Sequence, residues 1–243
     1  MKLKILIYKI QNKILPQTIK SKQYIEKLRY SGVKIGEGSY IFNPNTTIID
    51  DTRPHLLEIG KYCKITAGVK ILTHDYSRSV LRLKYGYIIG EAKKTIIGDN
   101  VFIGIDSIIL MGSKIGSNVI IGAGSVVSGN IPNDVVIAGN PAKIIRTLEE
   151  HNEIRKNKCI EEAQEYAKEI IKNNEELTIQ KMGAFFPLYL KRDLNEIERN
   201  NLNINLSGDN IEDIKEKFIN SKPYYKNFDE FKKNIFNEIK NKL

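Results

Sequence analysis

The chain has 243 residues, 41% hydrophobic and 28% charged, which suits a globular protein of one domain plus an appendage. No apolar run approaches the roughly 18 residues that a spanning helix needs. The net charge of +9 is uneven, with +8 in residues 1–34, +3 in 35–146 and −2 in 147–243, so no basic face runs along the molecule and no nucleic-acid partner is expected.

Residues 1–30 form the first expected element, a helical segment. Leu3, Ile7, Ile10 and Ile14 stand at helical spacing before Pro16, which should break the helix. This stretch is basic and apolar but has no continuous apolar region followed by a small-residue cleavage site, so a secretory signal is not expected. A basic amphipathic segment is either a solvated helix flank or, through residues 1–20, a peripheral contact with anionic membrane. Cys63 and Cys159 have neither metal-ligand spacing nor the pattern of a disulfide framework, which makes a cytoplasmic location the expectation.

Residues 31–146 carry a repeat. Ile97, Ile103, Ile109, Ile115, Ile121 and Val127 recur every six residues, and Gly98, Gly104, Gly116 and Gly122 follow four of them. Upstream, Ile35, Ile41, Ile59, Ile65 and Ile71 keep the same period, while Thr47 and Arg53 hold the slots between. A period of six fits neither a helix nor simple alternation. It fits a solenoid of short strands and tight corners, in which three units make one triangular coil and the aliphatics stack about 4.8 Å apart. The expected fold class is therefore mainly β, a left-handed parallel β-helix flanked by helical segments.

The 26 residues from Ile71 to Ile97 are not a multiple of six, so a loop over residues 73–95 must leave the wall. It contains His74 in "THD" (73–75), and loops on rigid scaffolds often carry function. After residue 147 the glycines thin out. Ile160, Ala163, Ala167, Ile170 and Ile171 form one helical stripe, and Phe228, Phe231, Ile235, Ile239 and Leu243 form another. "GAFFPLYL" (183–190) reads as an apolar connector, and 147–243 as a helical extension packing on the solenoid or a neighbouring subunit.

The repeat, the loop with "THD" and the closing "IGAGSVVSGNIPNDVVIAGNPAKII" (121–145) resemble the hexapeptide-repeat acyltransferases. The likeness is to the galactoside and maltose O-acetyltransferases and to the sugar O-acetyltransferases of capsule and lipopolysaccharide synthesis. It covers about residues 30–146. It implies acetyl-coenzyme A as co-substrate, no metal, a homotrimer, and donor and acceptor meeting between subunits. His74 matches the family's general base, a role that suits histidine because it titrates near working pH. "FIGI" (102–105) matches the turn whose backbone N–H, here that of Ile105, stabilises the tetrahedral intermediate beside Gly104. On the donor side the resemblance implies Ala123, Ser128, Gly129, Lys143 and Arg146. The family often has Thr-Lys where Ser128-Gly129 stands, which puts one phosphate contact in doubt. "FNPNTTIIDD" (42–51) resembles the acceptor strand and implies that Asn43 and Asp51 bind sugar hydroxyls, although both residue types also stabilise turns. The partner of the second His74 ring nitrogen stays open between Asp75, Glu91 and a backbone carbonyl.

The expected function is acetyl transfer to a sugar hydroxyl of a surface polysaccharide or its precursor. The alternatives are N-acetylation of an amino sugar or amino acid and a non-catalytic β-solenoid binding protein. A zinc enzyme on this scaffold would need three histidine ligands, and the loop supplies one.

Overall fold

The computed structural model describes residues 16–202, 204 and 208–241. The chain divides into two compact units, residues up to His151 and residues from Asn152 onward.

The first unit begins with helix α1 (Gln17–Ser31), which follows Pro16 directly. Pro16 therefore stands at the entrance of a helix: its fixed φ suits that position, and the lost N–H lies where no intrahelical partner exists. Leu3, Ile7, Ile10 and Ile14 lie outside the described residues. Ile25 and Leu28 of α1 are buried against the first coil, and the Arg29 guanidinium donates to the carbonyls of Ile35 and Gly36. The Ser21 hydroxyl accepts from Ile41 N at 2.9 Å. Helix α1 thus caps the open end of the solenoid, covering backbone groups that would otherwise present a free sheet edge.

Fourteen of the fifteen strands among the described residues, β1 to β14, wind into three parallel sheets. The first sheet stacks β1 (Lys34–Ile35), β4 (Leu57–Ile59), β7 (Thr95–Ile97), β10 (Lys114–Ile115) and β13 (Asn130–Ile131). The second stacks β2 (Tyr40–Ile41), β5 (Lys64–Ile65), β8 (Phe102–Ile103), β11 (Ile120–Ile121) and β14 (Val135–Ala138). The third stacks β3 (Ile48–Ile49), β6 (Lys70–Ile71), β9 (Ile108–Ile109) and β12 (Val126–Val127). This is the expected left-handed parallel β-helix. The registers form three aliphatic columns: 35-59-97-115-131, 41-65-103-121-137 and 49-71-109-127. β15 (Lys143–Thr147) turns back antiparallel on β14 and ends the coil.

One part of the repeat departs from a strict period. The third column uses Ile49, eight residues after Ile41, and the next strand brings in Ile59 ten residues later. Position 47 is thus two residues early and 53 falls in the following corner. Two extra residues followed by four make one full unit, which is why the pattern resumes in phase at Ile59. The loop also holds a short helix, α2 (Arg78–Tyr85), none of whose residues is buried.

The second unit has a core of its own. Helix α3 (Leu148–Lys172) enters it and buries Ala163, Ala167 and Ile170. A 3₁₀ turn over Gly183–Leu188, α4 (Leu194–Arg199), α5 (Ile211–Asn220) and α6 (Phe228–Lys240) complete it. Phe231 and Ile235 of the second stripe are buried with Phe218, Tyr189 and Leu190. The 183–190 segment is therefore core, not connector: Phe186, Tyr189 and Leu190 anchor an aromatic cluster in which Tyr189 lies 4.8 Å from Phe228 and 5.2 Å from Phe231. Leu243 lies outside the described residues. No helix among them is long and apolar enough to cross a membrane.

Candidate active site

The third-sheet strands each end in a corner leading to the first sheet, and these corners stack. After β3 the corner holds Asp50, Asp51 and Thr52; after β6 it holds Leu72, Thr73 and His74. The Ile49–Ile71 register sets one above the other, and Asp50 N donates to the Ile71 carbonyl at 3.0 Å. The Asp50 carboxylate, 7% exposed, then reaches up into the next corner.

Five donors converge on that carboxylate. Oδ1 accepts from Thr52 N at 3.1 Å and Thr52 Oγ1 at 2.6 Å. Oδ2 accepts from Thr73 N at 3.1 Å, from the Thr73 hydroxyl, and lies 2.6 Å from His74 Nδ1. Burial pushes the Asp50 pKa up, but the hydrogen bonds from Thr52, Thr73 and His74 outweigh it and hold the group well below the usual carboxylate range. An ionised carboxylate only accepts, so Nδ1 carries the proton and the lone pair of the neutral ring sits on Nε2. The His74 side chain is 31% exposed, so the ring is held by Asp50 and partly open to solvent. That arrangement sets the tautomer of the ring through a buried partner.

Asp50 was missed in the sequence. The two local candidates serve other ends: Asp75 Oδ1 accepts from Ser77 N and Ser77 Oγ at 2.8 Å, and Glu91 Oε2 accepts from Ser77 Oγ at 3.4 Å. A usable signal did exist, because Asp50 directly follows an inward-facing aliphatic just as Leu72 follows Ile71. The assumption of a strict period, with slots at 47 and 53, hid it.

The other expected residues are distributed as follows. Asn43 builds its own corner: its carbonyl accepts from Thr46 N and Thr47 N, and its Oδ1 from Asn45 N at 3.3 Å. Asp51 faces Lys27 of α1 at 3.5 Å. Gly104 and Ile105 sit in the corner between the second and third sheets, with Ala123 one coil beyond. A Cβ on Gly104 would lie 2.5 Å from Ala123 N and 2.7 Å from Ile121 O, so this glycine is required by the next coil of the chain itself. The Ile105 carbonyl accepts from Gly124 N at 2.7 Å, and among the described residues its N–H has no acceptor. Ser128 and Gly129 lie in the same stack of corners as His74, two coils further on, both exposed, with Gly129 at φ +76°. Lys143 and Arg146 lie on β15, the first exposed and the second half-buried. The main consequence is that His74 and the Ile105 N–H occupy different corners of the triangular coil. A single chain does not bring them to one point.

Residues 94–129 match the family described as bacterial transferase hexapeptide (six repeats). The chain is 38% identical over 152 residues to Protein CapG of Staphylococcus aureus, covering 63% of this chain and 84% of that one. It is 36% identical over 118 residues to the galactoside O-acetyltransferase of Lactococcus lactis, covering 48% of this chain and 53% of that one. Over 55 residues it is 51% identical to a 2,3,4,5-tetrahydropyridine-2,6-dicarboxylate N-acetyltransferase of Clostridium perfringens, 23% of each chain. The chain thus spans most of the first relative but only about half or less of the other two. The stacked hexapeptide columns and the relative covered over 84% of its length agree: this chain belongs to the bacterial hexapeptide-repeat transferases and is an enzyme of the acetyltransferase kind.

Proposed function

We propose that the protein transfers an acetyl group from acetyl-coenzyme A to a sugar hydroxyl, with His74 as general base, in a homotrimer whose sites lie between subunits. The observation that carries this reading is the Asp50–His74 pair at the neck of the loop, which holds the ring through Nδ1 while the side chain stays partly exposed. Nε2 takes the proton of the acceptor hydroxyl as its oxygen attacks the thioester carbonyl. The Ile105 N–H of a neighbouring subunit stabilises the oxyanion, an effect worth about 3–4 kcal/mol for one such donor. Collapse of the tetrahedral species expels the thiolate, which takes the proton back from His74. The separation of His74 and Ile105 on different corners supports a site shared between chains. Ala123, Ser128, Gly129, Lys143 and Arg146 would follow the pantetheine arm and phosphates, and Asn43 and Asp51 the acceptor.

The test begins with calorimetric titration of coenzyme A and acetyl-coenzyme A, then thiol release with a panel of sugars. Saturable binding near one site per chain, turnover with a sugar, and loss of turnover but not binding in His74→Ala are the expected results. Unchanged turnover in folded His74→Ala, or a stable active monomer in sedimentation, would defeat the reading.

A further inference from the structure

The neck of the 73–95 loop is built around His74 by two cationic residues. Lys93 N donates to the carbonyl of Thr73 at 2.9 Å and closes the loop's base. Arg78 Nη1 donates to the carbonyl of Asp75 at 2.7 Å. The residues immediately before and after the base therefore each anchor a residue with a cationic side chain. The stem of Lys93 crosses the next corner, where a Cβ on Gly112 (φ +79°) would meet Lys93 Cδ at 2.4 Å. The guanidinium carbon of half-buried Arg78 lies over the ring of exposed Tyr76, 4.7 Å from its centroid.

These charges lack a direct ion pair among the described residues, while the carboxylates of Asp75 and Glu91 meet at Ser77 in the same neck. Among the described residues neither Arg78 nor Lys93 has a carboxylate within ion-pair distance, whereas Lys94 pairs with Glu58 at 2.9 Å and Lys27 with Asp51 at 3.5 Å. Asp75 is engaged by Ser77, whose backbone and side chain hold its pKa low, with Arg78 a smaller influence. Asp50 is surrounded by its own donors. Residues 76–90 contain Arg78, Arg82 and Lys84 and no acidic residue. A guanidinium held by one carbonyl and one aromatic face still has donors to offer, and its planar fork matches a carboxylate or phosphate.

We infer that the acceptor is an anionic sugar, bearing a carboxylate or phosphate that Arg78 and Lys93 hold beside His74. The inference rests on the sugar-acetylation reading above and narrows its substrate class. The exposed ring of Tyr76 supplies an apolar face for the sugar next to the cation. Arg78 and Lys93 are binding residues here; the proton stays with His74.

The experiment compares matched acceptors at saturating acetyl-coenzyme A: methyl glucuronoside against methyl glucoside, methyl galacturonoside against methyl galactoside, and glucose 6-phosphate against glucose. At least one acidic member should exceed its neutral counterpart tenfold or more in kcat/KM, and the uronides and the phosphate separate the two anions. Arg78→Gln should raise KM for that acceptor about tenfold and collapse the preference, with Arg78→Lys intermediate. Equal or better turnover of the neutral members overturns the inference. So does an Arg78→Gln effect confined to KM for acetyl-coenzyme A, which would assign the cation to the donor phosphates. Binding to phosphatidylserine vesicles that Arg78→Gln abolishes, with acceptor preference intact, would assign it to a membrane surface. No transfer to any of the six sugars would instead refute the underlying sugar reading, and the inference with it.

Discussion

Replacing Asp50 with Asn changes one atom of the carboxylate and tests the site more sharply than any other substitution. Five donors converge on this side chain, three on Oδ2 and two on Oδ1. An Asn oxygen can serve only one of the two sets. If it stays with the Thr52 pair, the new NH₂ faces Thr73 N–H and His74 Nδ1, and Nδ1 must lose its proton to accept. The ring hydrogen then moves to Nε2, the atom that should receive the substrate proton. A base of this kind contributes roughly 10²–10⁴-fold, so kcat should fall by about that factor, or about 3–5 kcal/mol of barrier. The N–H to NH₂ conflict at Thr73 should cost stability by about 1–3 kcal/mol. The sign of the pH dependence follows from the lowered Asp50 pKa. A depressed folded-state pKa contributes stability above the ordinary carboxylate range, near pH 4, and that contribution is lost as pH falls through the lower folded value. The stability gap between wild type and Asp50→Asn should therefore narrow below about pH 4. Thiol-release kinetics, sedimentation and urea unfolding at pH 7 and pH 3 check all three. A folded Asp50→Asn variant with kcat within threefold of wild type would refute the tautomer argument.

Three further substitutions separate structure from chemistry. Gly104→Ala drives a Cβ to within 2.5 Å of Ala123 N, so it should cost about 3 kcal/mol or prevent folding; an unchanged melting temperature would show that the coils can part. Tyr189→Phe should be neutral or stabilising by up to about 1 kcal/mol in chemical unfolding, because the buried hydroxyl has no partner among the described residues. Burial pushes the Tyr189 pKa up, in keeping with that apolar setting. Lys143→Glu, on exposed β15, should weaken coenzyme A about tenfold in calorimetry without shifting the melting temperature, and unchanged affinity would remove Lys143 from the donor site.

The architecture was legible in the sequence because a solenoid repeats one local rule. Each aliphatic at the sixth position stacks on its equivalent in the next coil, so Ile97 to Val127 could be assigned to columns from spacing alone. The 26-residue gap likewise forced a loop, and placed His74 at its start. The helical stripes around Ala163 and Phe231 were legible as helices, but their partners were not. Amphipathicity states that a face is buried without stating against what, and here the stripes pack with Phe186 and Tyr189 into a core of their own. Pro16 shows a similar limit, since one residue type can end a helix or open the next.

What only the tertiary structure decided is which residue sits one coil below His74. Asp50 is 24 residues away in sequence; one irregular corner lies between them and another directly precedes the Asp50 strand. Spacing transmits register through a regular solenoid, but each inserted residue shifts the phase, and insertions of two and four cancel without leaving a trace downstream. The chemistry of His74 depends on that hidden neighbour. The sequence by itself determined a stacked wall with a histidine at its one large interruption. Folding alone set the carboxylate against the ring, because the contact is made between coils and not along the chain.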